Sequence, residues 1–171
     1  MRELALSFSR YNRLFNDAMI SPSSEPSHAR RAAWMRILSL STWEDIESAA
    51  QCIPDVQHDL LRAPETGLVM LRGRMGATGA AFNFGEATVT RCAVRITGGI
   101  EGHAYVMGRN GAHARLAALC DALLQVPDQG TDLVEKLIAP LEAKLRARQV
   151  AQSSKAAATR VDFFTMVRGD D

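Results

Sequence analysis

Cysteine is scarce in this 171-residue chain: Cys52, Cys92 and Cys120 are the only thiols, and no two form a CxxC pair. An odd, widely spaced set fits reduced thiols in the cytoplasm and argues against the disulfide framework of a small secreted domain. The four histidines, His28, His58, His103 and His113, make neither an HxxxH nor an HExxH spacing, so no metal site is signalled. No serine sits in a GxSxG elbow, and Cys92 has no evident histidine companion, which leaves nucleophilic catalysis without support. Charge of one sign is lacking as well. Twenty basic and 19 acidic side chains leave a net +1, without the basic field that drives non-specific nucleic-acid binding. No apolar run approaches the roughly 18 residues of a membrane span. Arg2, Glu3 and Arg10 interrupt the N-terminus where a secretory signal would be apolar. The expectation is a cytoplasmic protein with no nucleic-acid and no membrane partner.

What is present is an ordinary globular mixture, 47% apolar and 23% charged. A chain of this length buries roughly 70% of its unfolded surface and needs no staple to fold. Lysine is confined to Lys136, Lys144 and Lys155, and the other 17 basic residues are arginines. Arginine suits bidentate contact with carboxylate or phosphate, although a genome-wide preference for arginine would look the same.

Residues 1–27 read as an N-terminal extension, with Leu4, Phe8, Tyr11, Phe15 and Ala18 on one helical stripe before a Ser/Pro-rich linker at Ser21–Ser27. An α+β body follows over 28–148. Ala33, Trp34, Ile37 and Leu38 form one apolar helix face, and Trp43, Ile46, Ala50 and Ile53 a second that stops at Pro54, a helical hairpin. Ser41–Glu44 has the spacing of a capping box, with Ser41 as cap. Strands are expected over 57–63, 67–75, 86–97 and 100–107, with turns at Pro64–Gly67 and Gly98-Gly99, an antiparallel four-stranded meander. A two-residue turn at Gly98-Gly99 sets Val94 opposite His103 and Cys92 opposite Tyr105, and then neither face of the last two strands is purely polar. Either the register differs or both faces are covered, one by another chain; we take the second. Asn110-Gly111 opens a helix to about Gln125, with Ala112, Leu116, Leu119, Cys120 and Leu123 inward. Thr131 or Asp132 caps another, carrying Leu133, Leu137, Leu141 and Leu145 and interrupted near Pro140. Residues 149–171 read as a linker or fraying helix followed by an extended C-terminal docking arm.

Two constellations carry chemical interest. Arg72-Gly73-Arg74-Met75-Gly76-Ala77-Thr78-Gly79 sets two arginines on one strand face ahead of glycines and a threonine, so Arg72, Arg74, Gly76, Thr78 and Gly79 are candidate anion ligands. It is not a Walker A loop, since no GK[ST] follows. Arg91 and Arg95, about 13 Å apart on one strand face, extend the candidate set, with Arg109 just beyond the next strand. A solvated turn and ion pairing with carboxylates are the competing readings. The arm presents Val161, Phe163, Phe164, Met166 and Arg168 as partner-binding candidates, because so many large apolar side chains at a chain end need burial. No residue is assigned a catalytic role and none a metal.

Five blocks then point to a family. Glu65–Val69, Arg74–Gly79, Gly85–Arg95, Leu137–Leu141 and Arg160–Gly169, in that order and spacing, closely resemble PhnG, a small subunit of the bacterial carbon–phosphorus lyase core complex. The likeness runs from about Ala29 to the end. The resemblance implies a non-catalytic but essential subunit in phosphonate use. With H-, I- and J-type subunits and an ATPase-like L subunit as partners, it would support formation of a ribose 1-phosphonate 5-triphosphate from ATP and a phosphonate, with release of adenine. It implies no cofactor on this chain, and ATP and an iron–sulfur cluster on the partner subunits. The alternatives are a stand-alone enzyme that binds phosphate esters through the Arg/Gly cluster, and a pure scaffold.

Overall fold

Two short amphipathic helices open the fold, each built on the stripe that its spacing predicts. The computed structural model describes residues 28–74 and 79–159. Helix α1 (His28–Leu40) buries Trp34, Ile37 and Leu38, and α2 (Trp43–Ala49) buries Ile46. Between them the capping pattern is displaced by one residue from the expected one. The buried Ser41 hydroxyl donates to the Ile37 carbonyl at 2.7 Å and closes α1, while the Thr42 hydroxyl accepts the Asp45 amide at 3.3 Å and opens α2. A 3-10 turn at Ala50–Cys52 then ends the hairpin ahead of Pro54.

The expected four-stranded meander is corrected to three antiparallel strands in the order β1-β2-β3: β1 (His58–Gly73), β2 (Phe82–Ile96) and β3 (Glu101–Met107). The segments 57–63 and 67–75, read as two strands, are one strand of 16 residues, and Pro64–Gly67 lies inside it. The reason is position in the sheet. β1 is an edge strand, where a proline's missing N–H removes no interior ladder bond. Register shifts between Leu60 and Arg62, and between Arg62 and Glu65, absorb the irregularity as bulges without reversing the chain.

The last hairpin corrects a second expectation. Ile96 donates to the Ile100 carbonyl at 3.0 Å, and the loop is Thr97-Gly98-Gly99, with Gly98 and Gly99 at φ 98° and 84°. Val94 therefore faces Gly102, Cys92 faces Ala104 and Arg91 faces Tyr105. This one-residue change restores an alternation in which Ala93 is the buried exception. Thr90, Cys92, Val94, Ile96, Gly102, Ala104 and Val106 are buried on one face, while Arg91, Arg95, Tyr105 and Met107 are exposed on the other. The register accounts for the mixed pattern of these two strands.

Helix α3 (Gly111–Leu124) starts at Asn110, whose side chain accepts the His113 amide at 2.9 Å. Its buried face is lined by small residues, Ala114, Ala117, Ala118 and Ala122, because it packs directly on the sheet; Leu116 packs against the core at its margin and Ala112 is exposed. A Cβ on Gly102 would lie 2.0 Å from the Ala118 carbonyl oxygen, so only glycine permits this approach. The next helix begins at Pro127, not at Thr131 or Asp132; proline fits the first helical position, where its missing N–H is no loss. Helix α4 (Pro127–Leu133), a π-helical turn (Val134–Ile138) and α5 (Ala139–Ala158) follow without a break. The wide turn, in which the Ala139 amide reaches the Val134 carbonyl, takes up the interruption expected at Pro140. Leu145 is the last buried residue of α5, and 149–158 continue it as exposed helix. The core lies between the buried sheet face and the helices, around Trp34, Leu38, Ile46, Val94, Leu123, Leu137, Ile138 and Leu141. No helix among the described residues is long and apolar enough to cross a membrane.

Candidate functional site

Polar chemistry inside the body converges on Asp121 of α3, whose side chain is fully buried. Its carboxylate accepts the Trp34 indole N–H at 2.8 Å, the Arg31 guanidinium at 2.7 and 3.2 Å, and the His103 backbone N–H at 2.9 Å. Arg31 also donates to the Glu101 carbonyl at 3.3 Å, as does Gln125 at 2.9 Å. One carboxylate thus ties α1, α3 and the outer edge of β3 together. All its visible lone-pair directions have donors, which describes a structural junction rather than an acid or base awaiting substrate.

The sheet arginines divide into two groups. On the exposed face of β1 and β2, Arg62 and Arg91 both pair with Glu65, and Arg95 pairs with Glu101 at 2.6 Å. The Arg62 and Arg91 guanidiniums hold the Glu65 carboxyl below its ordinary range, and Arg95 does the same to Glu101. Arg72 and Arg74, at the far end of β1, are exposed and have no carboxylate partner among the described residues. Arg72 stands opposite Asn83, eight residues along β2 from Arg91, or roughly 26 Å. Among the described candidates, Arg72 is therefore held apart from Arg91 and Arg95. Gly79 lies at the edge of the described residues, and Gly76 and Thr78 lie outside them. So do Val161, Phe163, Phe164, Met166 and Arg168 of the arm, and all of 1–27.

What sequence reasoning missed is the shape of the β1–β2 pair. β3 ends at Met107, opposite Val89, but β1 and β2 stay paired from Gly67↔Val89 out to Gly73↔Phe82. Past Thr90, whose hydroxyl donates to the Gly108 carbonyl at 2.7 Å, no helix among the described residues covers the inner face. A two-stranded ribbon projects there with Leu68, Met70, Phe82 and Phe84 at 65, 59, 45 and 60% exposure. The signal was legible: Leu68-Val69-Met70-Leu71 is apolar at both parities, so a strand through it has no polar face.

Two clefts remain. One of about 170 Å³ lies between α1 and β3, lined by Met35, Leu38, Ser39, His103, Tyr105 and Ala117. The other, about 210 Å³, lies beside Cys52, Asp132 and Lys136. No cluster of three or more histidine, cysteine or acidic side chains suited to a metal occurs among the described residues. Burial pushes the thiols of Cys92 and Cys120 up, away from reactive thiolate.

With this geometry in hand, comparison with known proteins adds two findings. The family described as phosphonate metabolism protein PhnG matches residues 29–169. A protein of Rhizobium meliloti (strain 1021), named alpha-D-ribose 1-methylphosphonate 5-triphosphate synthase subunit PhnG, is 44% identical over 150 residues, covering 87% of this chain and 96% of that protein.

Proposed function

The chain belongs to the PhnG family of phosphonate metabolism proteins, and from that premise we propose that it is the PhnG subunit of a cytoplasmic assembly that makes ribose 1-methylphosphonate 5-triphosphate. The observation that carries this is the 44% identity to the Rhizobium meliloti subunit along almost its full length. In the reaction a phosphonate oxygen bonds to the ribose C1 of ATP as the C1–N bond to adenine breaks, and adenine leaves with the proton. The chain's part is that of an essential companion. The bond-making groups, the ATP site and the iron–sulfur cluster of the later C–P cleavage reside on H-, I- and J-type subunits and an ATPase-like L subunit. Support for this division comes from the ion pairs of the described residues: Asp121, Glu65, Glu101 and Asp45 are each engaged by basic groups of the same chain.

The assembly reconstituted with and without this chain tests the reading. Adenine release from ATP and methylphosphonate should require the chain, and a strain lacking it should fail to grow on methylphosphonate as sole phosphorus source. Full adenine release in its absence overturns the proposal. The arm residues Val161, Phe163, Phe164, Met166 and Arg168 belong to the same reading as partner contacts. Phe163→Ala with Phe164→Ala should keep native helicity and lose co-purification of the other subunits; tight retained binding rejects that role.

A further inference from the structure

We propose that the projecting β1–β2 ribbon, residues 67–74 with 79–88, is an insertion arm that docks in an apolar trough of another subunit, with carboxylates of that subunit receiving Arg72 and Arg74. The inference rests on the subunit reading above and adds where the contact is made and what chemistry receives it. Isolated two-stranded ribbons are marginal in water, and this one is paired through six residue pairs beyond the end of β3. Its core-side face continues the buried row of Thr90 and Cys92 into Leu68 and Met70, after the described helices that cover that row have ended. Phe82 and Phe84 meet edge to face, their centroids 6.4 Å apart, and Phe84 lies so close over Gly73 that a Cβ there would be 2.8 Å from its ring. The aromatic pair is thus built onto the ribbon as an anchor rather than tucked into the body. A ribbon of this length, about 20 Å, offers on the order of the ~800 Å² per partner of a standard interface.

Charge selects the occupant. Arg62, Arg91 and Arg95 on the body of the sheet are each matched by Glu65 or Glu101, whereas the ribbon carries Arg72 and Arg74 against a single acid, Glu86. A second copy of the chain would bring the same excess of arginine. A different subunit with an acidic end to its trough completes both the apolar and the ionic contacts.

The test uses the full chain co-expressed with the other subunits and purified through a tag on this chain. Three ribbon variants are compared: Leu68→Glu with Met70→Glu; Arg72→Glu with Arg74→Glu; and a shortened chain in which an Asn-Gly turn replaces 70–86 and joins the directly paired Val69 and Ala87. Val150→Glu, on the exposed end of α5, is the control. Wild type and the control should carry the other subunits. Each ribbon variant should bind about a hundredfold more weakly or worse, with helicity and melting temperature of the isolated chain within about 2 °C of wild type. Ribbon variants that assemble like wild type overturn the docking arm while leaving the subunit reading in place. A wild-type chain that carries no other subunit overturns that reading and this one with it. An Arg72→Glu/Arg74→Glu assembly that is intact but binds triphosphate more weakly replaces the carboxylate receptor with a bound anion and overturns that part of the proposal.

Discussion

Replacing Asp121 by alanine should strip the body of a carboxylate that joins α1, α3 and the edge of β3 through one side chain. The substitution strands four donors: the Trp34 indole N–H, two guanidinium N–H groups of Arg31 and the His103 amide. Removing one member of a buried ion pair costs about 3–5 kcal/mol, and each stranded buried donor about 1–3 kcal/mol. These overlap rather than add. Arg31, with its side chain 30% exposed, recovers part of its loss from water, whereas Trp34 is fully buried and recovers nothing. A net loss of about 4 kcal/mol follows, or about 8–16 °C in Tm for a chain of this size. Asp121→Asn keeps the shape but turns an amide N–H₂ toward donors, and should lose about half as much. Urea denaturation followed by tryptophan fluorescence reads both, and a double-mutant cycle with Trp34→Phe isolates the indole bond, with a coupling of about 1–2 kcal/mol. An Asp121→Ala protein within 1 kcal/mol of wild type, or a cycle without coupling, would refute the junction.

Three further outcomes follow from other parts of the fold. Gly102→Ala drives a methyl into the Ala118 carbonyl and the Ala122 amide and should destabilise by about 3 kcal/mol or prevent folding, read by thermal melting; a normal Tm would mean that α3 can lift from the sheet. Asp45 of α2 pairs with Lys144 of α5 at 2.8 Å, and the Lys144 ammonium, aided by the Thr42 hydroxyl, holds the carboxyl below its ordinary 3.8 against the opposing pull of partial burial. A lowered folded pKa contributes stability that is complete above the unfolded value and lost as pH falls through the folded one. Asp45→Asn should therefore cost about 0.5 kcal/mol at neutral pH, a gap that holds down to about pH 5 and closes below 3.8 in melts across that range; a gap that is unchanged in acid contradicts the pairing. In thiol titration of the native protein Cys52 alone should react quickly, with buried Cys92 and Cys120 appearing only in denaturant; a second fast thiol would show that α3 or the sheet opens readily.

Local signals were legible in the sequence. The stripe of Trp34, Ile37 and Leu38, the Asn110 cap, the glycine hairpin after Ile96 and the interruption before Pro140 each depend on neighbours a few residues away, and each is where its spacing or turn chemistry puts it. The five blocks shared with the PhnG family, likewise a property of linear order, carried the functional reading. Long-range geometry decided the rest. Pro64 reads as a turn in isolation and becomes part of a strand because β1 lies at the sheet edge, a fact of topology. The register of β2 on β3 turned on one loop residue, and a one-residue slip exchanges every cross-strand partner. Asp121 is separated from Trp34 by 87 residues and from His103 by 18, so no local pattern marks it as their acceptor. The ribbon depends on where β3 stops and the described helices cease to cover the sheet: hydrophobicity announces that Leu68 and Met70 need burial, and only the tertiary structure reveals that the described residues do not provide it.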